Sequence, residues 1–107
     1  MIKGEIVLAE FPYTDYRGSK SRPVLILAEK KVDVLGAFIT RNLENMDDDD
    51  LLLKADNQNK LKKNSRIRLF RLATIKKNKI LGTIGFIDEM ILKKIDGKLV
   101  QILKINI

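Results

Sequence analysis

Residues 21–27 read SRPVLIL, a serine, a cation and a proline followed by four apolar residues. Val24, Leu25, Ile26 and Leu27 leave no polar position in the run, which is the pattern of a short strand buried on both faces. Pro12, Asp15, Gly18 and Ser19 supply turn chemistry in the loop before it. At the mouth of the oily run stands Arg22, followed by Pro23. A guanidinium beside a buried strand is costly unless it meets an anion, so the chain raises the question of which anion Arg22 awaits.

Working outward, EIVLAEF (Glu5 to Phe11) is rich in β-formers and ends at Pro12, which lacks the N–H that a central strand needs next. VLGAFIT (Val34 to Thr40) is the antiparallel neighbour of the apolar strand across EKKVD, and this pairing brings Arg22 and Thr40 within reach of each other. LLL at 51–53 reads as another short strand, and KADNQNKLKKN after it as a polar stretch with weak helix potential. In SRIRLFRLATI (Ser65 to Ile75) a period of two puts Arg66, Arg68 and Phe70 on one face and Ile67 and Leu69 on the other. KILGTIGFI is a further strand, in which Gly82 and Gly85 mark a bend, a bulge or a close backbone approach.

From Asp88, a good N-cap, the apolar residues Ile91, Leu92, Ile95, Leu99, Ile102 and Leu103 keep helical spacing. Gly97 costs about 1 kcal/mol inside a helix and marks where this one would break. About five short strands closed by one helix predict a small, mainly β, strongly bent sheet or barrel. At 107 residues the chain, 1–107, is expected to form a single domain.

The 21 Lys and Arg against 14 Asp and Glu give a net +7, which favours a polyanionic partner. Charge is also unevenly spread. Residues 1–53 hold seven cations and ten carboxylates, residues 54–107 fourteen and four, and no acid occurs from Asn57 to Ile87. The opposite extreme is the run Asp47 to Asp50. Consecutive carboxylates in an extended chain point alternately to opposite sides and do not converge on a cation, so a solvated loop is expected there.

The chain has no Cys and no His, which removes disulfides, thiolate nucleophiles, the commonest metal ligand and the commonest general base. Glycine-rich phosphate loops, a GxSxG elbow and metal-spaced clusters are missing as well. No basic leader with a long apolar core opens the chain, and no run approaches the length of a membrane span, so a soluble, cytoplasmic protein without membrane attachment is expected. Any chemistry must come from Arg, Lys, hydroxyls and carboxylates. Arg22, Thr40, Ser19, Lys20, Ser21 and the face of Arg66, Arg68 and Phe70 are the inventory that grips a phosphodiester and stacks unpaired bases.

These residues carry a resemblance. GEIVLAEFPYTDYRGSKSRPVLIL, DVLGAFITRN, SRIRLFRLATI and ILGTIGFIDEMILKKI together resemble the MazF/PemK toxin family, ribosome-independent endoribonucleases of bacterial toxin–antitoxin pairs. The resemblance runs from Gly4 to about Ile95 and is most specific in GSKSRPVLIL. It implies an SH3-like barrel of five to seven short strands with a C-terminal helix, a homodimer, and cleavage of single-stranded RNA without metal or cofactor. It also implies that Arg22 and Thr40 are the catalytic pair and that Arg68 matches a later arginine used by some members. Those members place an acid two residues further on, where this chain has Phe70, and the histidine of some relatives has no counterpart.

Arg stays protonated at ordinary pH, so Arg22 is cast as a stabiliser of charge on phosphate oxygens and Thr40 as a hydrogen-bonding group. Asp15 is the candidate base, with turn formation as its alternative duty. Lys20, Arg66, Arg68 and Phe70, with Ser19 and Ser21, are expected to hold the RNA. The expected reaction is attack by the 2′-hydroxyl to give a 2′,3′-cyclic phosphate. An acidic antitoxin follows from the charge and from the resemblance. Two other readings stand beside this one: a toxin of the same fold that inhibits a protein such as DNA gyrase, and an RNA-binding module without cleavage.

Overall fold

The computed structural model describes residues 1–12 and 19–106, the side chains of Phe11, Pro12 and Ser19 excepted. Within them lie β1 (Glu5–Pro12), β2 (Ser19–Glu29), β3 (Asp33–Thr40), β4 (Asp50–Leu53), β5 (Ser65–Lys76), a 3-10 turn (Lys77–Lys79), β6 (Ile80–Phe86) and α1 (Glu89–Leu103). The six strands form one antiparallel sheet in the order β4-β5-β3-β2-β1-β6. The mainly β chain with a terminal helix is therefore as the sequence reads, and LLL is indeed strand β4.

The sheet has an apolar layer on each side. Ile6, Leu25, Leu27, Ile39, Ile67 and Leu69 pack against α1 through Ile95, while Val7, Val24, Ile26, Val34 and Ile75 form a second cluster. Alternation along β2 sends Leu25 and Leu27 to one layer and Val24 and Ile26 to the other, as a strand covered on both faces must do. Register shifts interrupt the β1–β6, β2–β3 and β3–β5 ladders, and bulges of this kind bend a sheet.

At the far end of β2 from Arg22, the Glu29 carboxylate takes hydrogen bonds from Lys77 Nζ at 2.8 Å and the N-terminal ammonium at 3.1 Å. The hydrogen bond from Lys77, and after it that from the N-terminus, hold the carboxyl below its ordinary range. A carboxylate depressed in this way favours the fold at higher pH and ceases to do so as pH falls through the lowered value.

Helix α1 starts as expected, with the Asp88 side chain accepting from the Ile91 N–H at 2.9 Å. It does not break at Gly97. The residue faces open space, and Ile91, Leu92, Ile95, Leu99 and Ile102 hold the flanking turns on the core, which outweighs the glycine penalty of about 1 kcal/mol. Leu103, counted with the apolar stripe, is exposed instead. The helix stops where Lys104 turns left-handed and the N–H of Ile105 reaches the Val100 carbonyl at 3.0 Å.

Residues 54–64 form no helix but a series of turns around Asn59. This segment leaves the outer strand β4 and crosses to the opposite edge of the sheet, where the Phe86 N–H donates to Gln58 O at 3.0 Å. Gly85 makes the approach possible, since a Cβ there would sit 2.4 Å from Asn59 O and 2.6 Å from Gln58 O. Gly82 has nothing within 4 Å of such an atom. Gly85→Ala is therefore expected to destabilise the chain by about 1–3 kcal/mol in urea unfolding, with Gly82→Ala near neutral. Equal effects of the two substitutions would show that this contact does not matter.

Candidate functional site

The β2–β3 ladder begins only at the Val24–Phe38 pair. Pro23, paired with Leu8 on β1, has no N–H to offer, and it stands where pairing to β3 has already stopped. Beyond it the two strands part. Arg22 continues along β1 opposite Ala9, and Thr40 continues along β5 opposite Arg66. The space between them is a groove of about 750 Å³.

Leu8, Pro23, Ile39 and Ile84 give the groove an apolar floor. Lys20, Ser21 and Arg22 stand on one side, Thr40, Arg41 and Asn42 at the end of β3, and Lys60, Lys62 and Lys63 on the loop that crosses to β6. Among the described residues the lining thus holds six cations and no carboxylate. Such a concave site, with an apolar floor and cations converging from three chain segments, suits a polyanion that also carries flat apolar groups.

Arg22 and Thr40 are both half-buried on this groove, as their places at the strand ends lead one to expect. The Thr40 hydroxyl oxygen accepts from the Asn42 N–H at 3.2 Å, which fixes the oxygen and leaves its proton available for donation. Asn42 in turn accepts from the Glu44 N–H at 2.9 Å, so the turn that holds Thr40 is itself hydrogen-bonded. Lys20 and Ser21 are exposed on the same groove. Ser19 is placed only as the first residue of β2, opposite Pro12. Asp15 lies outside the described residues.

The other expected RNA-gripping residues are not on the groove. Arg66 and Arg68 share a face as the period of two requires, but β4 lays Asp50 opposite Arg68 on that same face. Arg66 is 5% exposed, and its Nη1 donates to Asp50 Oδ2 at 2.9 Å and to Asn45 O at 3.1 Å. Arg68, half-buried, brings Nε to 4.0 Å from Asp50 Oδ1. Phe70 is 70% exposed, away from the groove lining. The acidic run is corrected too. Asp47 and Asp48 are solvated, but Asp50 is buried as the counter-ion of Arg66. Among the described residues no group of three carboxylates is arranged to hold a metal ion.

Sequence reasoning did not single out Arg41, Asn42, Lys60, Lys62 and Lys63 as groove residues. The acid-free stretch from Asn57 to Ile87 signals that cations gather there; which of them reach the groove depends on the crossing of residues 54–64 to β6.

The chain belongs to the PemK-like, MazF-like toxins of type II toxin–antitoxin systems, whose family model matches residues 2–103. Its fold is similar to that of an endoribonuclease solved in complex with its cognate antitoxin from a mycobacterial species, at a TM-score of 0.79 and 14% identity over 100% of this chain and 98% of that one. It is similar as well to the Mycobacterium tuberculosis toxin MazF-mt6, at a TM-score of 0.77 and 19% identity over 96% and 99% of the two chains. A further mycobacterial endoribonuclease gives a TM-score of 0.73 at 14% identity over 97% and 91%. At these identities the likeness is one of fold. No curated protein matches the chain by sequence.

The Arg66–Asp50 pair sets a stability expectation. Asp50→Ala leaves a buried guanidinium without its counter-ion and is expected to cost about 3–5 kcal/mol. Replacing both partners, as Asp50→Leu with Arg66→Met, should cost clearly less. A double-mutant cycle in urea that gives additive losses would refute the coupling.

Proposed function

We propose that this chain is an endoribonuclease toxin that cuts single-stranded RNA in the cytoplasm as a homodimer, with residues 1–107 forming one toxin domain. The observation that carries the reading is the convergence of Arg22 and Thr40 on a groove lined by six cations and, among the described residues, by no carboxylate. A phosphodiester in that groove supplies the anion that a guanidinium at the mouth of a buried strand requires.

In the proposed reaction the 2′-oxygen of the ribose attacks the adjacent phosphorus. The new bond is O2′–P and the bond that breaks is P–O5′, so the products carry a 2′,3′-cyclic phosphate and a 5′-hydroxyl. The 2′-hydroxyl proton goes to a base and a proton is returned to the leaving O5′. Charge accumulates on the non-bridging phosphate oxygens, and in this reading the Arg22 fork stabilises it. The Thr40 hydroxyl, its oxygen fixed by Asn42, donates to the same phosphate and so holds the phosphorus in line with the attacking oxygen. Lys20 and Ser21 grip the neighbouring backbone. Asp15 is the base this reading assigns. An acidic, disordered antitoxin segment suits the same cations and is the partner expected to block the groove.

Purified protein with a long single-stranded RNA and EDTA should give discrete fragments ending in cyclic phosphate. Arg22→Ala should slow the cut by about 10²–10³-fold or more. DNA, which lacks the 2′-hydroxyl, should bind without being cut. One observation favours a second reading: among the described groove residues there is no carboxylate or histidine to serve as the base. RNA that stays intact yet binds in a salt-sensitive way would select the non-cleaving binding module and overturn the nuclease.

A further inference from the structure

The loop at 54–64 is organised far more tightly than a polar connector requires. Asn59, at its centre, is 1% exposed. Its Nδ2 donates to Lys54 O at 2.8 Å, and its Oδ1 accepts from the N–H groups of Asp56 at 3.1 Å and Leu61 at 3.0 Å. The Asp56 carboxylate accepts from the N–H groups of Gln58 and Asn59 at 2.9 and 2.7 Å, and Asn64 Oδ1 accepts from the Ala55 N–H at 2.9 Å. The close approach at Gly85 and the bond from Phe86 N–H to Gln58 O then fasten this knot to β6.

What the knot carries is charge. Lys60, with a left-handed φ of 55°, Lys62 and Lys63 are all exposed and all line the groove. No carboxylate among the described residues pairs with any of them. Three like charges within four residues repel one another, and a loop free to rearrange would spread them into solvent. This one is instead held by its own amides and by β6, on the groove that Arg22 also lines.

We propose that Lys60, Lys62 and Lys63 form a pre-built phosphate-binding wall for RNA on either side of the scissile bond, and that Asn59 is the positioning residue that fixes the wall in place. The inference rests on the reading of the groove as an RNA site and adds to it the residues that hold the flanking backbone. Lysine is a point charge that neutralises a phosphate without reading a base, so the wall contributes affinity and salt dependence rather than sequence choice. Its occupant is RNA rather than an acidic peptide because the wall is continuous with the groove that holds Arg22 and Thr40.

The test measures binding of the full chain to a single-stranded oligonucleotide whose 2′-hydroxyls are all O-methylated, so that it cannot be cut. On single strands each neutralised phosphate adds about 0.7 to the slope of log affinity against log salt. Lys62→Gln with Lys63→Gln should therefore lower the slope by about 1.4, so that between 50 and 200 mM salt the wild type loses about sevenfold more affinity than the double variant. Asn59→Ala should weaken binding in the wild type and add clearly less on the Lys62→Gln/Lys63→Gln background, where only Lys60 of the wall remains, a non-additivity that a general loss of structure would not give. Both lysines are exposed, so the double variant decides the matter even where Asn59→Ala fails to fold.

An unchanged slope in the double variant overturns the wall. A slope unchanged for the oligonucleotide but reduced for poly-glutamate overturns it in favour of a protein partner. A folded Asn59→Ala protein that binds like wild type overturns the role of Asn59. Parallel assays with unmodified RNA keep the two readings apart. Fragments from wild type with an unchanged slope in the double variant sink the wall alone, whereas a lysine-dependent slope without fragments supports the wall and sinks the nuclease.

Discussion

Strand β2 belongs to two cores at once, and that constraint fixes everything at its mouth. Leu25 and Leu27 lie in the layer beneath α1, while Val24 and Ile26 lie in the layer on the other face. Each such side chain contributes about 1.5–3 kcal/mol by its burial. A slip of one residue would draw Pro23 and Arg22 toward the packed interior and push Leu27 toward solvent, so the register is held from both sides. Pro23 then falls where pairing with β3 ends, and Arg22 and Thr40 come out on either side of an opening instead of being zipped together. The groove is a consequence of a proline at a place where the strand cannot slide.

The sheet treats its arginines in two opposite ways. Arg66 meets Asp50 across the β4–β5 ladder and is sealed with it away from water, where it ties the turn at Asn45 to the sheet. Among the described residues Arg22 has no carboxylate paired with it, and it lines the groove together with five other cations. A single buried carboxylate, Asp50, is what makes Arg66 part of the packed interior.

How far the sequence could be read depends on the range of the interactions involved. Runs such as VLILA and the Asp88-led apolar spacing announce strand and helix through near neighbours, and the pairing of β2 with β3 follows from the short link between them. That Arg22 and Thr40 line one groove was legible for the same reason. The fate of Arg66 was not, because its partner Asp50 arrives from a strand sixteen residues earlier and looks like one of four equivalent solvated acids until β4 is laid against β5. Gly97 misled because a local propensity of about 1 kcal/mol was weighed without the core contacts on either side of it. The lysine loop was hidden for the longest-range reason of all: Asn59 and Gly85 must first bring opposite edges of the sheet together.

The central claim is that Arg22 and Thr40 act on one and the same phosphate. A double-mutant cycle on the single-turnover rate of RNA cleavage, with Arg22→Ala, Thr40→Val and the pair combined, addresses it directly. The combined loss is expected to be far smaller than the product of the single losses, since removing either group already spoils the shared phosphate contact. Two independent, fully multiplicative losses would contradict it and would place the two side chains on different parts of the substrate.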